Sequence, residues 1–275
     1  MKSVVALLAA FAFSICGPAC AQPPADDGVH MSVDYDGMLY PLNLIPVKVL
    51  VVHADGRSSL TTYNANVVMR SYGILRAFKH VDIVAQAAGR VDAQRRPHPQ
   101  TFSYLHHDGK RVRNVHVVWA TDDVSMTSTP PFHDMGTPLP TLEQKLAADD
   151  PLSQFVSLAL AKTPSAVCGA PDRFFDGKQL YALEFSQGQP TKLTDAQQAL
   201  GFSRAIKCTI RYVEIAGFNP KPPNKRDQGL RSPISMVFGQ LGPTGPWVIV
   251  DINAETAIGY ADIALRGIRL TGQHL

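Results

Sequence analysis

The sequence predicts a mainly β fold: a curved antiparallel sheet or half-open β-barrel with one covering helix. Three observations predict it. Between Tyr40 and Ser128, segments rich in β-branched and aromatic residues follow one another with Asp-Gly, Gly or Pro punctuation at short intervals, the pattern of an antiparallel meander. Strand and helix patterns do not alternate in a βαβ rhythm, which argues against a doubly wound nucleotide-binding sheet. A greasy helical pattern near 150–161 has strand patterns on both sides and no true linker, so residues 22–275 read as one domain.

The elements can be justified in order. LIPVKVLVV, SLTTYNANVVMR, FKHVDIVAQAAGRVD, PQTFSYLHH, KRVRNVHVVWA and DVSMTS each carry strand composition, and SYGILRAF between two of them reads as a tight excursion or a single helical turn. Pro130 to Pro140 is a Pro-rich connection. DPLSQFVSLALAK then changes period: Asp150 can cap, Pro151 suits the first helical position, and Leu152, Phe155, Val156, Ala159 and Leu160 recur at helical spacing. That gives a helix with one apolar side, suited to covering a sheet. RFFDGKQLYALEFS follows, with a hairpin turn at Asp176-Gly177. In RAIKCTIRYVEIAGF, Ile206, Cys208, Ile210 and Tyr212 alternate with Lys207, Thr209 and Arg211, so one face is apolar and the other wet. After a Pro/Lys-rich loop, PWVIVDINAE and TAIGYADIALRGIRL complete the strands.

Four of the nine histidines fall between His98 and His116, beside Lys110, Arg111 and Arg113. Asp108-Gly109 predicts a two-residue type I′ hairpin turn. That turn would pair His107 with Lys110, Leu105 with Val112, Ser103 with Asn114 and Thr101 with His116. His106 and His107 then point to opposite faces, and His107 and His116 share a face but lie ~20 Å apart at the usual rise per residue. Zinc ligands must converge within about 2.0–2.3 Å of one ion, so no common metal is expected here. Phe102, Tyr104, Val115, Val117 and Trp119 share one face, which turns basic toward the tip at His106, Arg111 and Arg113.

The first residues, MKSVVALLAAFAFSICGPACAQPP, hold one Lys, an apolar run from Val4 to Cys16 and the small-residue stretch Ala19-Cys20-Ala21. They read as a secretory signal peptide cleaved after Ala21, because the run is shorter than the ~20 residues of a span. No later stretch is long and apolar enough to span. Processing leaves Cys168 and Cys208, and export makes a disulfide between them the default expectation; two buried free thiols, or a reactive or metal-binding pair, are the alternatives. A formal charge of +3 does not argue for nucleic acid. Arg95-Arg96, the Lys110-Arg111-Arg113 tip and the Lys221 to Arg231 loop suit either solvated loops or anionic partners such as phosphorylated lipid headgroups and acidic glycans.

Signatures of chemistry are missing. The sequence holds no GxSxG, HExxH, GxxxxGKS/T or strand-borne GxGxxG. Asp122-Asp123 and Asp149-Asp150 read as capping and solvation, and His53 and His80 fall in separate strands.

Several stretches resemble an exported bacterial family known only as domain of unknown function 3108. They are the strands around SYGILRAF, the AAGRVD…PHPQTFSY…KRVRNVHVVW run, DPLSQF, Cys168 followed by RFFDGKQLYALEF, then CTIRYVEIAGF, and a last strand pair with Pro246-Trp247-Val248 where the family often has Pro-Val. The resemblance covers nearly the whole mature chain and implies a periplasmic, largely antiparallel β protein with its cysteine pair at Cys168 and Cys208; it lends no catalytic residues and no cofactor. Such sheets look like the half-open barrels of periplasmic lipoprotein and lipid carriers. The expectation is a non-catalytic carrier of an apolar or amphipathic envelope molecule, lipid or lipoprotein, with peripheral membrane contact. The alternatives are an envelope enzyme acting on a glycan or lipid and a structural assembly partner. Phe102, Tyr104, Trp119 and Phe155 would line the hollow, and Arg111 and Arg113 would meet a headgroup. A carrier's hollow should be aliphatic and aromatic with no buried titratable pair; an enzyme's should hold one.

Overall fold

Strand-forming segments separated by short turns pair with their sequence neighbours, and here they do so almost without exception. The computed structural model describes residues 28–41, 45–78, 80–161, 163–169, 172–219, 233–256 and 259–272. The leader and the Lys221 to Arg231 loop lie outside the described residues. The N-terminal half runs β1 (Val29–Pro41), β2 (Val47–Ser58), β3 (Thr62–Ser71), the short α1 (Gly73–Phe78), β4 (Val81–Val91), β5 (Pro97–Asp108), β6 (Arg111–Trp119) and β7 (Val124–Thr129). Three short helices follow: α2 (Leu142–Leu146), α3 (Ser153–Leu160) and α4 (Pro164–Val167). The C-terminal half adds β8 (Asp172–Phe175), β9 (Leu180–Phe185), β10 (Gln189–Thr191), α5 (Asp195–Ala199), β11 (Phe202–Ala216), β12 (Ile234–Leu241), β13 (Trp247–Thr256) and β14 (Gly259–Thr271).

All fourteen strands form one antiparallel sheet in the order 7-6-5-4-3-2-1-14-13-12-11-9-8, with β10 added on β11. The sheet is not closed, since β7 and β8 do not pair. Its two ends overlap instead. Gly177, at the tip of the β8–β9 hairpin with φ +97°, sits so close to β6 that a Cβ there would come within 2.6 Å of Val115 Cγ1. Val115 and Val117 of β6 share a buried cluster with Phe175 of β8 and Leu180 of β9. Backbone bonds from Thr137 N to Phe218 O (2.9 Å) and from Gly217 N to Pro138 O (2.8 Å) strap the Pro-rich connection to the end of β11.

Three details differ from the expectations. The β5–β6 turn is Gly109-Lys110, pairing Asp108 with Arg111, His106 with Arg113 and Phe102 with Val117. Type I′ needs positive φ at both central residues, whereas only Gly109 has it (+62°), as in a II′ turn. The slip is by two residues, so every side chain keeps its face. Two strands lack an obvious sequence signal: β1, broken up by Asp34, Asp36 and Gly37, and β12. Helix α3 starts at Ser153, with Pro151-Leu152 in a preceding turn.

That helix is a plug more than a cover. It lies against β3 and β5 on one side and β13 on the other. Leu152, Val156 and Leu160 join one buried cluster while Leu158 joins another, and Phe155 touches both. A helix apolar on several sides must be buried. Both of its ends are tied. At the start, Asp150, 0% exposed, accepts from Leu152 N (2.8 Å), Ser153 N (3.1 Å), Ser153 Oγ and the Tyr63 hydroxyl of β3 (3.1 Å). Capping and solvation were both expected of the Asp149-Asp150 pair; Asp150 caps the helix start, but it is buried rather than solvated. Tyr63 reaches it because its β4 partner is Gly89, where a Cβ would fall 2.6 Å from the ring. Beyond the helix, Cys168 is disulfide-bonded to Cys208 on β11, with Cα atoms 6.1 Å apart.

Closing a loop of 40 residues is worth about 4 kcal/mol in the chain-entropy account. Reduction is therefore expected to lower the unfolding free energy by about that amount, read from denaturation curves with and without reductant. Tyr63→Phe removes one donor from a buried carboxylate and should cost about 1–3 kcal/mol in the same assay.

Candidate functional site

The strand registers explain why a hollow exists. β13 and β14 pair only over Asp251–Thr256 and Gly259–Ala264. Beyond that, residues 247–249 of β13 pair with β12, and Leu265–Thr271 of β14 pair with β1. The sheet therefore forks. Tyr35 of β1 reaches across, its hydroxyl donating to the Ile249 carbonyl at 2.9 Å. Burial pushes that phenol well above its ordinary value, so it stays neutral.

Between the prongs and α3 lies a cavity of about 600 Å³. Met31 and Val33 of β1, Val67 of β3, Val156 and Leu158 of α3, and Val248 of β13 give it aliphatic walls. Alternation puts Met31, Val33, Gly56, Ala65 and Val67 on the inner face, since Val33 pairs with Ala54 and Ala54 with Val67. Small residues in that row leave room that larger ones would fill. The cavity's charged lining residues are Asp55, Arg57, Arg95 and Arg204, all toward the rim where β1, β3, β11 and β13 begin.

Each rim arginine has its own support. Arg95 stands in the β4–β5 connection with φ 63°, the one non-glycine in the left-handed region among the described residues. Asp92 organises that turn: its backbone oxygen accepts from Arg95 N (2.9 Å), and its carboxylate accepts from Arg96 N (2.8 Å) and lies 2.8 Å from His98 Nε2. The His98 bond holds the Asp92 carboxyl below its ordinary value. On β11, Arg204 donates through Nε to Gln240 Oε1 (2.5 Å) and lies over the Trp247 ring, 5.3 Å from its centroid. Gln240 in turn donates to the Gly245 carbonyl at 3.0 Å. The Trp247 indole N–H is buried without a hydrogen-bond partner among the described residues.

Of the residues expected to meet a ligand, Phe155 lines this cavity and the others do not. Phe102 is 3% exposed in the cluster with Tyr63, Val115, Phe175 and Leu180, because the overlapping β8–β9 hairpin covers that face. Tyr104 packs at its margin, 5.9 Å from Phe102 between ring centroids. Trp119 donates to Lys145 O (3.2 Å) under α2 and meets Phe175 edge-on. The Arg113 guanidinium lies 4.2 Å from the Phe132 ring centroid, and Arg111 is exposed at the strand end. Sequence reading missed Arg57, Gln240 and the wall of β1. It had Arg95 only as part of a basic pair. For Arg204 there was a signal, since it has the parity of Ile206 and Cys208.

A second polar group lies on the opposite face. Asp36 and Asp251 both pair with Ala264, which shares parity with Asp262, so these carboxyls sit on the side away from Tyr35. Asp251 and Asp262 hydrogen-bond each other, with Asn253 donating to Asp251 and Tyr260 to Asn253. Burial, then the repulsion of Asp262, pushes Asp251 up to about 7; burial raises Asp262 as well. Among the described residues, no three of His, Cys, Asp and Glu gather as a metal site would require. No described helix is long and apolar enough to cross a membrane.

No family model matches the chain, and no curated protein matches it. Among solved structures it is similar to the crystal structure of a β-barrel-like protein of domain of unknown function DUF1849 from Brucella abortus. The identity is 11%, the alignment covers 88% of this chain and 98% of that one, and the TM-score is 0.48. At that identity the likeness assigns no residue a role.

Between the unfolded-chain value near 3.9 and about 7, the folded protein keeps a proton on the Asp251–Asp262 pair that the unfolded chain has released. The pair's contribution to stability is thus full below about 3.9 and lost as pH rises through about 7. Denaturation midpoints should fall between pH 5 and pH 8, and Asp262→Asn should shrink that fall.

Proposed function

We propose that this protein is an exported, non-catalytic carrier that holds one amphipathic envelope molecule, lipid or lipoprotein acyl chain, in the hollow between α3 and the forked sheet. The observation that carries the reading is the lining: aliphatic walls, charged groups toward the rim, and no buried acid–base pair among the lining residues. A volume of about 600 Å³ is in the usual range for a small-molecule site. The wall residues cannot collapse inward, because α3 is fixed at Asp150 and, through α4, at the disulfide. A disulfide also suits an oxidising compartment, which agrees with the leader-like N-terminus and with a periplasmic location. The resemblance to domain of unknown function 3108 points the same way.

The enzyme reading has one observation in its favour, the hydrogen-bonded Asp251–Asp262 carboxyls. They sit on the outer face beside a cleft lined by Lys207, Ser235, Asn253, Glu255 and Tyr260, and share no residue with the hollow. A carrier needs nothing from them.

Native mass spectrometry of protein purified from its own host, followed by organic extraction, should show a bound amphiphile near one per chain. Met31→Trp, which adds bulk on the inner face of β1, should leave a folded protein with that species lost. A folded wild type with nothing extractable and no dye-accessible apolar site would overturn the proposal.

A further inference from the structure

The rim of the hollow is asymmetric in charge, and resting on the carrier reading above, we infer that the bound amphiphile carries an anionic oxygen head, a carboxylate or a phosphate, gripped by Arg204 with Arg95 facing it from the other half of the sheet. The lining holds three arginines and a single aspartate. That aspartate, Asp55, follows Ala54 and so has outer-face parity, where it lies 3.6 Å from His30 Nε2. Arg57 shares the outer parity. Arg204 and Arg95 are left as the charges at the opening itself.

Arg204 has the build of an anion site. Its neighbours are neutral: Gln240 Oε1 accepts a hydrogen bond from Nε and the Trp247 face lies beneath the guanidinium. Gln240 is 2% exposed and fixed by Gly245 O, so it holds the planar fork in one orientation. No carboxylate pairs with Arg204 among the described residues, and the two terminal nitrogens supply the donors that a carboxylate or phosphate accepts in bidentate fashion. Trp247 adds an independent observation. It is fully buried in the cavity wall, and its indole N–H has no acceptor among the described residues. Buried donors rarely go unpaired, and an acceptor oxygen of the ligand would satisfy this one. Across the opening, Arg95 is set in a left-handed conformation by the Asp92 turn, so its position is part of the folded structure rather than a floppy rim charge.

The head-group chemistry has two sources, free fatty acids and phosphorylated lysolipids, and binding separates them. Delipidated full-length protein is titrated calorimetrically with oleate, oleoyl lysophosphatidate, neutral monoolein of the same chain, and inorganic phosphate. The expected result is that one or both acidic amphiphiles bind about tenfold or more tighter than monoolein, with affinity falling as salt rises. Arg204→Gln should cancel most of that advantage, weakening the acidic amphiphiles far more than monoolein, Arg204→Lys should restore only part of it, and Arg95→Gln should give a smaller loss. Arg204 is exposed, so its variants should keep the wild-type fold, read from far-UV dichroism and the denaturation midpoint. Equal affinity for monoolein, with the arginine variants silent, overturns the head-group inference and leaves the carrier reading standing. Inorganic phosphate binding as tightly as lysophosphatidate overturns it in favour of a small-anion site. Binding by none of the amphiphiles overturns the carrier reading itself.

Discussion

A carboxylate buried to zero exposure sets the position of everything inside this sheet. Asp150 is removed from water, which pushes its carboxyl up, and its burial is tolerable only because donors from two directions converge on it. Two come from the backbone at the start of α3 and two from the hydroxyls of Ser153 and Tyr63. Tyr63 belongs to β3, so these bonds fix the helix to the sheet wall at a set height and azimuth. The glycine at position 89 is part of the same arrangement, since any side chain there would displace the Tyr63 ring. With the Cys168–Cys208 bridge holding the segment after the helix to β11, α3 cannot sink toward either wall.

A fixed plug inside a forked sheet leaves space by geometry. Where β13 and β14 separate, neither prong can complete its hydrogen bonds with the other, and the side chains facing the gap are small or aliphatic. Tyr35 closes part of the gap with a single hydrogen bond to Ile249 O. Phe202, Leu193 and Leu200 add apolar bulk in the cluster with Val248, Val250 and Leu265. The rest stays open toward the rim, and there the polar groups gather. Apolar depth and a cationic rim therefore arise from one break in the ladder.

Much of the architecture was legible because each strand mostly pairs with its neighbour in sequence, so alternation and turn residues carry most of the information. The β4–β7 meander, the β8–β9 hairpin at Asp176-Gly177 and the alternation of β11 could all be read this way. What could not be read is long-range. The overlap of the β8–β9 tip on β6 turned the Phe102 and Tyr104 face from a cavity wall into a packed core, and no local pattern announces a contact between Gly177 and Val115. Strand β1 escaped because Asp34, Asp36 and Gly37 lower its β character, although Val33 and Tyr35 alternate correctly. The hollow's residues were scattered across β1, β3, α3 and β13, and only the fork brings them together. Arg204 carried a signal that went unread, since its parity with Ile206 and Cys208 puts it on the inner face.

The pairing of β1 with β14 has a consequence for how the chain reaches this state. Met31 lies opposite Leu270 and Tyr40 opposite Tyr260, so the longest seam of the sheet joins residues more than two hundred positions apart. Hairpins from β1 through β7 can assemble as the chain emerges, but one edge of β1 then stays bare until the final strand arrives. An unpaired edge is a template for wrong partners, and ladders of high sequence separation form slowly. The charges that weaken β1 as a sequence signal, Asp34 and Asp36, lie along that waiting edge, where they discourage another chain from adding to it.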